Sequence, residues 1–335
     1  MSADDYGWNE NDQLNSPSPG STKDTVVLIT GGWSTKGFSS TEFYPASSCS
    51  LPPLPEVRGG HISFVTSGTN PKVTLCGGNN AHSVTSSCVV FDVENQRWDE
   101  NMIGRLTMRR ARYAAVTLER VGTYIIGGDQ SNNPRTTEFL EEGGREWVVG
   151  PNIPGVDMTQ PCAVQISPLS FLVIFGFNIL EYQVDVADPT SSSGWQTNKW
   201  PSLQTERNNL PGCALFGNKV VIAGGYSSST YLKSTEILDL STKMITYAGD
   251  MISPRGHFHL ATPTLGGTTK LFAIGGVGNG KSSHHSSVEE FYLSNNSWTL
   301  AEITLEKAKY DFGTMIVDPE MLCPTLEGKG YNSKP

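Results

Sequence analysis

The chain contains 335 residues, of which 37% are hydrophobic and 17% are charged, and its formal net charge is −9 at pH 7. This acidic balance disfavours a nucleic-acid-binding surface, because phosphate groups would be repelled. No run of about 18 apolar residues occurs, which argues against a membrane-spanning helix. We therefore expect neither a nucleic-acid partner nor a membrane span.

The first segment, residues 1–24, is polar and rich in Pro and Ser. Low hydrophobicity of this kind predicts a disordered tail. The segment lacks the basic start and apolar centre of a secretory signal, so the sequence favours a cytoplasmic location. The alternative is an extracellular location, if the chain is a fragment of a longer protein.

Apolar strands that end in a glycine pair recur along the rest of the chain. The copies are VVLITGG, KVTLCGG, GTYIIGG, KVVIAGG and KLFAIGG, with first glycines Gly31, Gly77, Gly127, Gly224 and Gly275. A sixth copy, SFLVIFGF, lies in the double-length gap before the fourth pair. Glycine ends a strand sharply because it reaches positive φ without steric cost. A period of about 50 residues predicts a repeat architecture.

Each repeat carries further shared residues. A second strand follows the glycines and carries a glutamate near its start, at Glu42, Glu138, Glu181, Glu236 and Glu290, whereas SCVVFD lacks one. A tryptophan comes next in four repeats, at Trp98, Trp147, Trp195 and Trp298. Before most glycine pairs lies another apolar strand, opened by a basic residue such as Arg58, Arg110 or Arg255.

This combination resembles the kelch-repeat family over residues 25–317, as a stand-alone kelch domain similar to invertebrate kelch-like proteins. The resemblance implies a single all-β domain, a six-bladed β-propeller with four antiparallel strands in each blade. Strand A would carry the basic opener, strand B the glycines, strand C the glutamate and strand D the tryptophan.

The end of the chain indicates how such a ring would close. No basic-opened strand precedes the first glycine pair, whereas YDFGTMIV (310–317) follows the last repeat. We expect this segment to serve as strand A of the first blade, because closure removes exposed sheet edges. Residues 318–335 are expected to form a loose C-terminal tail.

The kelch resemblance also implies a function, that of a non-enzymatic protein-binding module. With antiparallel strands, the BC and DA loops share one face, and in related domains that face commonly holds the partner. The residues placed there by position are Trp33, Arg58, Asn79, Asn80, Arg109, Arg110, Asp129, Gln130, Asn178, Tyr226, Arg255 and Asn279. The alternative for the basic openers is a structural role, packed against neighbouring backbone.

Blade asymmetry sharpens the binding hypothesis. The BC loop of blade four is the shortest, which predicts a notch in the rim. Beside it, the DA connection carries Arg105, Arg109, Arg110 and Arg112. Arginine pairs with carboxylates through two parallel hydrogen bonds, so we expect a protein or peptide partner with an acidic segment. The alternative is that this arginine-rich connection is an ordinary solvated loop with no partner. We expect the protein to be a monomer.

The six cysteines leave two interpretations open. Cys76 and Cys88 flank one hairpin loop, and adjacent antiparallel strands can bring such a pair within disulfide reach. The favoured interpretation is that all six are reduced and behave as small apolar side chains. One N-glycosylation sequon, at Asn295, would matter only in a secreted chain.

Enzymatic functions find little support in the sequence. Galactose oxidase and sialidases share propeller architectures, but the histidines at 257, 259, 284 and 285 provide no convergent set of three or four metal ligands. The sialidase box, nucleotide-binding loops and hydrolase elbows are also missing. We expect no catalytic residues, metal or cofactor. A ubiquitin-ligase adaptor is the alternative binding role, and it would need a BTB region that this chain does not contain.

Overall fold

The computed structural model describes residues 23–128, 135–155, 160–280 and 283–323. Their strands form six antiparallel sheets around a central axis, and the predicted six-bladed β-propeller is confirmed. The tail predicted for residues 1–24 lies outside the described residues, apart from its last two positions.

The first blade begins with β1 (Val26–Thr30), which pairs antiparallel with β2 (Thr41–Tyr44). Every residue of β1 is buried, because strand B is covered by a neighbouring blade on each side. Two-sided burial explains why the strand B segments are continuous apolar runs rather than alternating patterns.

Blades 2 to 6 contain four main strands each, in the order A, B, C and D. Short extra hairpins extend the BC loop of blade 5 and the AB loop of blade 6. Blade 2 contains β3 (Ile62–Val65), β4 (Val73–Cys76), β5 (Cys88–Asp92) and β6 (Arg97–Asp99). Blade 3 contains β7 (Ala114–Leu118), β8 (Gly122–Ile126), β9 (Thr137–Glu141) and β10 (Val148–Val149), and blade 4 contains β11 (Cys162–Ser167), β12 (Ser170–Phe175), β13 (Asn178–Gln183) and β14 (Trp195–Gln196).

Blade 5 contains β15 (Gly212–Phe216), β16 (Lys219–Ala223), β17 (Tyr226–Ser227), β18 (Thr230–Tyr231), β19 (Thr235–Asp239) and β20 (Ile245–Ala248). Blade 6 contains β21 (His259–Ala261), β22 (Thr264–Leu265), β23 (Thr268–Thr269), β24 (Leu271–Ile274), β25 (Val288–Tyr292) and β26 (Ser297–Leu300).

The last strand, β27 (Gly313–Val317), supplies strand A of the first blade. It pairs with β1 in a register that places Val26 opposite Val317 and Thr30 opposite Gly313. The inner strands contact one another in turn around the ring, from β27 to β3, β7, β11, β15, β21 and back to β27. The predicted closure by a C-terminal strand is therefore confirmed.

The start of the predicted loose tail is ordered. A short helix, α1 (Pro319–Leu322), follows β27, and Asp318 caps it by accepting a hydrogen bond from the backbone N–H of Glu320. Leu322 is fully buried against the apolar side chains of blades 1 and 2. For residues 318–323 the prediction of a loose tail is therefore wrong, because packing of the Leu322 side chain outweighs the polar composition of the segment.

The interpretation that all six cysteines are reduced is wrong, because the structure joins them in three disulfides. Cys76 and Cys88 face each other across β4 and β5, with Cα atoms 4.1 Å apart. Cys162 and Cys213 join the inner strands of blades 4 and 5. The pair Cys49–Cys323 links the first blade to the segment after α1, across 274 residues of sequence.

Adjacent blades are joined by a repeated contact at the glycine pairs. The N–H of the second glycine donates to the carbonyl of the basic opener in the next blade, for example from Gly78 to Arg110 and from Gly225 to Arg255 at 2.8 Å. The first glycine leaves room for a ring from the next blade: a Cβ at Gly77 would lie 3.1 Å from the Tyr113 ring. The glycines thus determine the spacing between blades.

Blade 4 has the predicted notch, and its strand C glutamate makes different contacts from those in the other blades. Strands β12 and β13 are joined by a hairpin of only Gly176 and Phe177. The register pairs Glu181 with Leu172, which is two residues farther along strand C than Glu138 in blade 3. Glu181 accepts hydrogen bonds from Lys199 and from the Trp200 indole rather than from a basic opener.

Candidate partner-binding face

The basic openers form a buried set of side chains just beneath the face built by the BC and DA loops, here called the BC/DA face. Their exposed fractions are 0–1%. Each guanidinium or ammonium bonds the strand C glutamate of its own blade, or backbone carbonyls beside it. The pairs with a glutamate are Arg110–Glu138 (2.9 Å), Arg207–Glu236 (3.0 Å), Arg255–Glu289 (2.8 Å) and Lys309–Glu42.

This geometry corrects the binding role that the sequence suggested for Arg58, Arg110 and Arg255. A side chain with no exposed area cannot contact a partner, so their role is structural. Arg58 differs in detail, because a valine stands at the glutamate position of blade 2; it bonds Gly77, Ser87 and Glu56 instead. Burial lowers the pKa of Arg255, and the adjacent Glu289 opposes that shift.

The strand C glutamate of blade 6 was also misplaced by one residue. Glu289, opposite Ala273, occupies the position that Glu138 holds opposite Ile125. Glu290 instead pairs with Lys270 away from the opener. Two consecutive glutamates fit the sequence pattern equally well, and only the strand register separates them.

Two residues after each opener, and at the matching Gln160 of blade 4, the backbone enters the left-handed region. These residues, here called the axial ring, have φ values of 52–65°. Backbone N–H groups of Gly60, Arg112, Leu210, His257 and Asp311 donate to ring carbonyls of the preceding blade, at 2.6–3.3 Å. One residue per blade contributes to the ring: Asp311, Gly60, Arg112, Gln160, Asn209 and His257.

Three side chains of the axial ring meet in a charged cluster. The buried Asp311 carboxylate accepts hydrogen bonds from Arg112 Nε and pairs with His257 Nδ1, both at 2.7 Å. These partners hold the pKa of Asp311 below its ordinary value despite burial. Arg112 reaches blade 1 by crossing over Gly60, where a Cβ would lie 3.3 Å from Arg112 Cγ. The missing side chain at Gly60 makes this long reach possible.

Half-buried rings form an arc around this cluster on blades 5, 6 and 1. The arc, here called the aromatic crescent, consists of Trp33, Tyr226, Tyr231, His284 and Tyr310. Ring centroids lie 5.1 Å apart for Tyr226–Tyr231 and 4.9 Å apart for His284–Tyr310. His257 bridges the two halves, 6.4 Å from Tyr231 and 6.1 Å from Tyr310.

The crescent rings are held in place by backbone and glycine contacts. Trp33 exchanges backbone hydrogen bonds with Tyr310, and its indole lies against Gly59, where a Cβ would be 2.1 Å away. The Tyr231 ring packs in the same way on Gly256. Burial raises the pKa of Tyr231 and Tyr310, so both hydroxyls stay protonated and can donate hydrogen bonds. Sequence reasoning identified Trp33 and Tyr226 but missed Tyr231, His284 and Tyr310.

The asparagines predicted for this face have unequal roles. Asn279 clamps two BC loops together: its amide oxygen accepts from the Tyr231 N–H and its amide nitrogen donates to the Tyr231 carbonyl. Asn80 closes its own loop and bonds Glu56, while Asn79 pairs through its backbone with Gly59. Asn178 is exposed in the blade 4 hairpin.

The remaining predicted positions separate into two groups. Asp129 and Gln130 lie outside the described residues. Arg105 and Arg109 are exposed on the DA connection between blades 2 and 3, whereas Arg110 between Arg109 and Arg112 is buried. The four-arginine cluster predicted next to the notch thus exposes two side chains and commits the other two to Glu138 and Asp311.

In a comparison with protein families, the sequence model of the Kelch motif matches residues 207–243 of this chain. That stretch runs from the buried Arg207 through the glycine pair of blade 5 to the end of strand C with its Glu236, and the same arrangement recurs around the six-bladed ring. The protein is a kelch-repeat β-propeller. Kelch propellers commonly serve as protein-interaction modules. No curated protein matches the chain.

Below the axial ring, the channel of the kelch propeller narrows to a cavity of about 160 Å³, lined partly by Ser63, His259 and the Cys162–Cys213 pair. His259 Nε2 bonds the Phe312 carbonyl at 2.8 Å, and His61 Nε2 bonds Thr30 Oγ1 at 2.9 Å. Burial lowers the pKa of His259 to about 4 and holds that of His61 well below its ordinary value. Both imidazoles are therefore neutral at physiological pH.

At its other end the channel opens into a wider apolar cavity of about 660 Å³, between the ends of the inner strands. Within the described parts of the kelch propeller, no group of three or more His, Cys, Asp or Glu side chains could hold a metal ion. None of the helices in the same residues has the length and apolar character that a bilayer crossing requires.

Proposed function

We propose that the BC/DA face of this kelch propeller binds a segment of a partner protein, seated on the aromatic crescent over the axial ring. The observation that carries this proposal is the crescent itself: five half-buried rings on one side of the channel mouth. Soluble proteins seldom keep such clusters at the surface without a binding role. Tyrosine and tryptophan anchors lose little conformational entropy on binding and dominate many interfaces.

The scaffold beneath the crescent supports a preorganised site. The axial ring and the buried Arg–Glu pairs hold the loop bases rigidly, so little ordering has to accompany binding. The notch at blade 4, where strand C follows strand B after two residues, leaves one side of the rim low. An extended segment can therefore enter over blade 4 and end on the crescent.

The charge of the partner segment follows from the exposed arginines. Arg105 and Arg109 are exposed on the connection that leads from blade 2 into blade 3, which precedes the notched blade 4 in ring order. Each guanidinium can pair with a carboxylate through two hydrogen bonds. We expect an acidic residue of the partner at this point, and tyrosine hydroxyls of the crescent donating to its backbone carbonyls farther in.

Selection of a displayed random-peptide library against the protein tests the proposal. Selected peptides should bind a Tyr226→Ala/Tyr231→Ala variant at least about tenfold more weakly, since anchors of this type contribute roughly 2 kcal/mol each. Tyr292→Ala is the matched control, because Tyr292 is 40% exposed at the opposite end of blade 6. Equal binding to the double variant and the unmodified protein, by calorimetry, would contradict the proposed site, as would a library without specific binders.

A further inference from the structure

Every cysteine of the chain is used in a disulfide, and the three disulfides stabilise three different levels of the fold. Cys76–Cys88 lies across a hairpin, Cys162–Cys213 joins the inner strands of adjacent blades, and Cys49–Cys323 joins the first blade to the segment after α1. All six cysteines lie within the described residues. Disulfides that serve structure form and persist in oxidising compartments and are rare in the cytosol. The pairing indicates that this chain folds outside the cytosol.

The single sequon of the chain lies where a glycan can be attached. Asn295 is exposed in the turn between β25 and β26, and Asn296 beside it has φ 52°. The Ser297 hydroxyl donates to Asn295 Oδ1 at 2.9 Å, so this bond uses the amide oxygen rather than the nitrogen that would be glycosylated. Sequons that carry a glycan lie on such surface loops.

The position of this turn is also compatible with the proposed binding face. It is the CD loop of blade 6, at the end of the propeller opposite the aromatic crescent. A bulky, strongly hydrated group on Asn295 would therefore shield the lower end and leave the crescent open. The sequon and the cysteine pairs are independent observations that indicate the same compartment.

We propose that Asn295 carries an N-linked glycan and that the chain matures in an oxidising secretory compartment. The amide nitrogen of Asn295 displaces a lipid diphosphate from C1 of the first sugar of a lipid-linked oligosaccharide. A C–N bond forms, the C–O bond to the diphosphate breaks, and one amide proton passes to solvent. Each cysteine pair gives two protons and two electrons to the disulfide of a thiol oxidase, which is reduced to its dithiol.

The protein isolated from its own cells tests this proposal. Free thiols are alkylated before unfolding, and the unreduced digest is analysed by mass spectrometry with and without enzymatic removal of N-glycans. We expect three cross-linked peptides that join Cys49 to Cys323, Cys76 to Cys88 and Cys162 to Cys213, and a glycan on the Asn295 peptide. Alkylated cysteines or an unmodified Asn295 would overturn the proposal.

A matched pair of variants makes the result specific. Ser297→Ala destroys the sequon but keeps Asn295, whereas Ser297→Thr preserves it. Expressed as full-length protein in the same cells, the Ala variant should lose the whole glycan mass and the Thr variant should keep it. A glycan mass retained by the Ala variant would place the modification elsewhere and contradict the assignment to Asn295.

Discussion

Two sets of residues on the BC/DA face lie close together and have opposite roles. The basic openers are 0–1% exposed and bond the glutamates or carbonyls of their own blades. The crescent rings are half-buried and rest on glycines and on one another. One set belongs to the scaffold, and the other provides surface for recognition.

The repeat itself distinguishes the two sets. Basic openers recur in register in five of the six blades, as expected for residues with a repeated structural role. Crescent residues do not recur: the place after the glycine pair is Trp33 in blade 1, Asn79 in blade 2 and Tyr226 in blade 5. In a repeat protein, a periodic polar residue indicates a structural role, and an aperiodic aromatic on a loop indicates binding.

The largest expected effect tests the structural half of this comparison with two adjacent arginines. Arg110→Ala should lower the free energy of unfolding by roughly 3–5 kcal/mol, because Glu138 would remain buried without its partner. Arg109→Ala should change it by less than about 0.5 kcal/mol, since Arg109 is exposed. Urea unfolding measures both, and equal losses would remove the distinction between the two sets.

The pH dependence of stability examines the half-buried His259 below the axial ring. The pKa of His259 is lowered to about 4, so the unfolded chain binds more protons than the folded one between pH 6.5 and 4. Stability should therefore fall as the pH drops through this window, by roughly 3 kcal/mol from this residue alone. His259→Gln keeps an N–H donor for the Phe312 carbonyl. The variant's thermal unfolding midpoint should therefore depend less on pH over this range than that of the unmodified protein. A slope equal to that of the unmodified protein would contradict the assignment.

A substitution in the axial ring should have a smaller effect. Gly60→Ala forces alanine into a left-handed conformation and brings a Cβ against Arg112, for an expected loss of about 1–2 kcal/mol. Gly143→Ala is the matched control, because its φ is +69° but nothing lies within 4 Å of its Cβ position. The excess loss at Gly60 measures the crossing contact of Arg112, and equal losses in thermal unfolding would show that the contact contributes nothing.

The smallest expected effect concerns Arg109, which is exposed on the connection from blade 2 into blade 3. Arg109→Ala should weaken binding of an acidic selected peptide about threefold to fivefold, as expected for a single exposed ion pair worth up to about 1 kcal/mol. Arg145→Ala, also exposed but in a CD loop, should leave the affinity unchanged. Titration calorimetry at two salt concentrations measures both variants. An affinity that Arg109→Ala does not alter rules out the acidic contact.

Much of the scaffold could be predicted because it repeats. The glycine pairs at Gly31, Gly77 and later positions revealed the blades, and YDFGTMIV revealed how the ring closes. The sequence pattern assigned the strand C glutamate wrongly in two blades, to Glu181 in blade 4 and to Glu290 rather than Glu289 in blade 6. Strand register depends on pairing partners that a linear pattern does not specify. The candidate site was predicted only in part: Trp33 and Tyr226 were identified, whereas Tyr231, His284 and Tyr310 were not.

The sequence by itself determined the number of blades, the strand order within each and the end of the chain that closes the ring. These features depend on local residue types repeated at a fixed period, which are visible without contacts. Only the tertiary structure decided which basic residues are buried, how the six cysteines pair and which rings meet over the channel. Those outcomes depend on neighbours brought together from distant repeats, as when Arg112 crosses Gly60 to reach Asp311 and Cys49 meets Cys323.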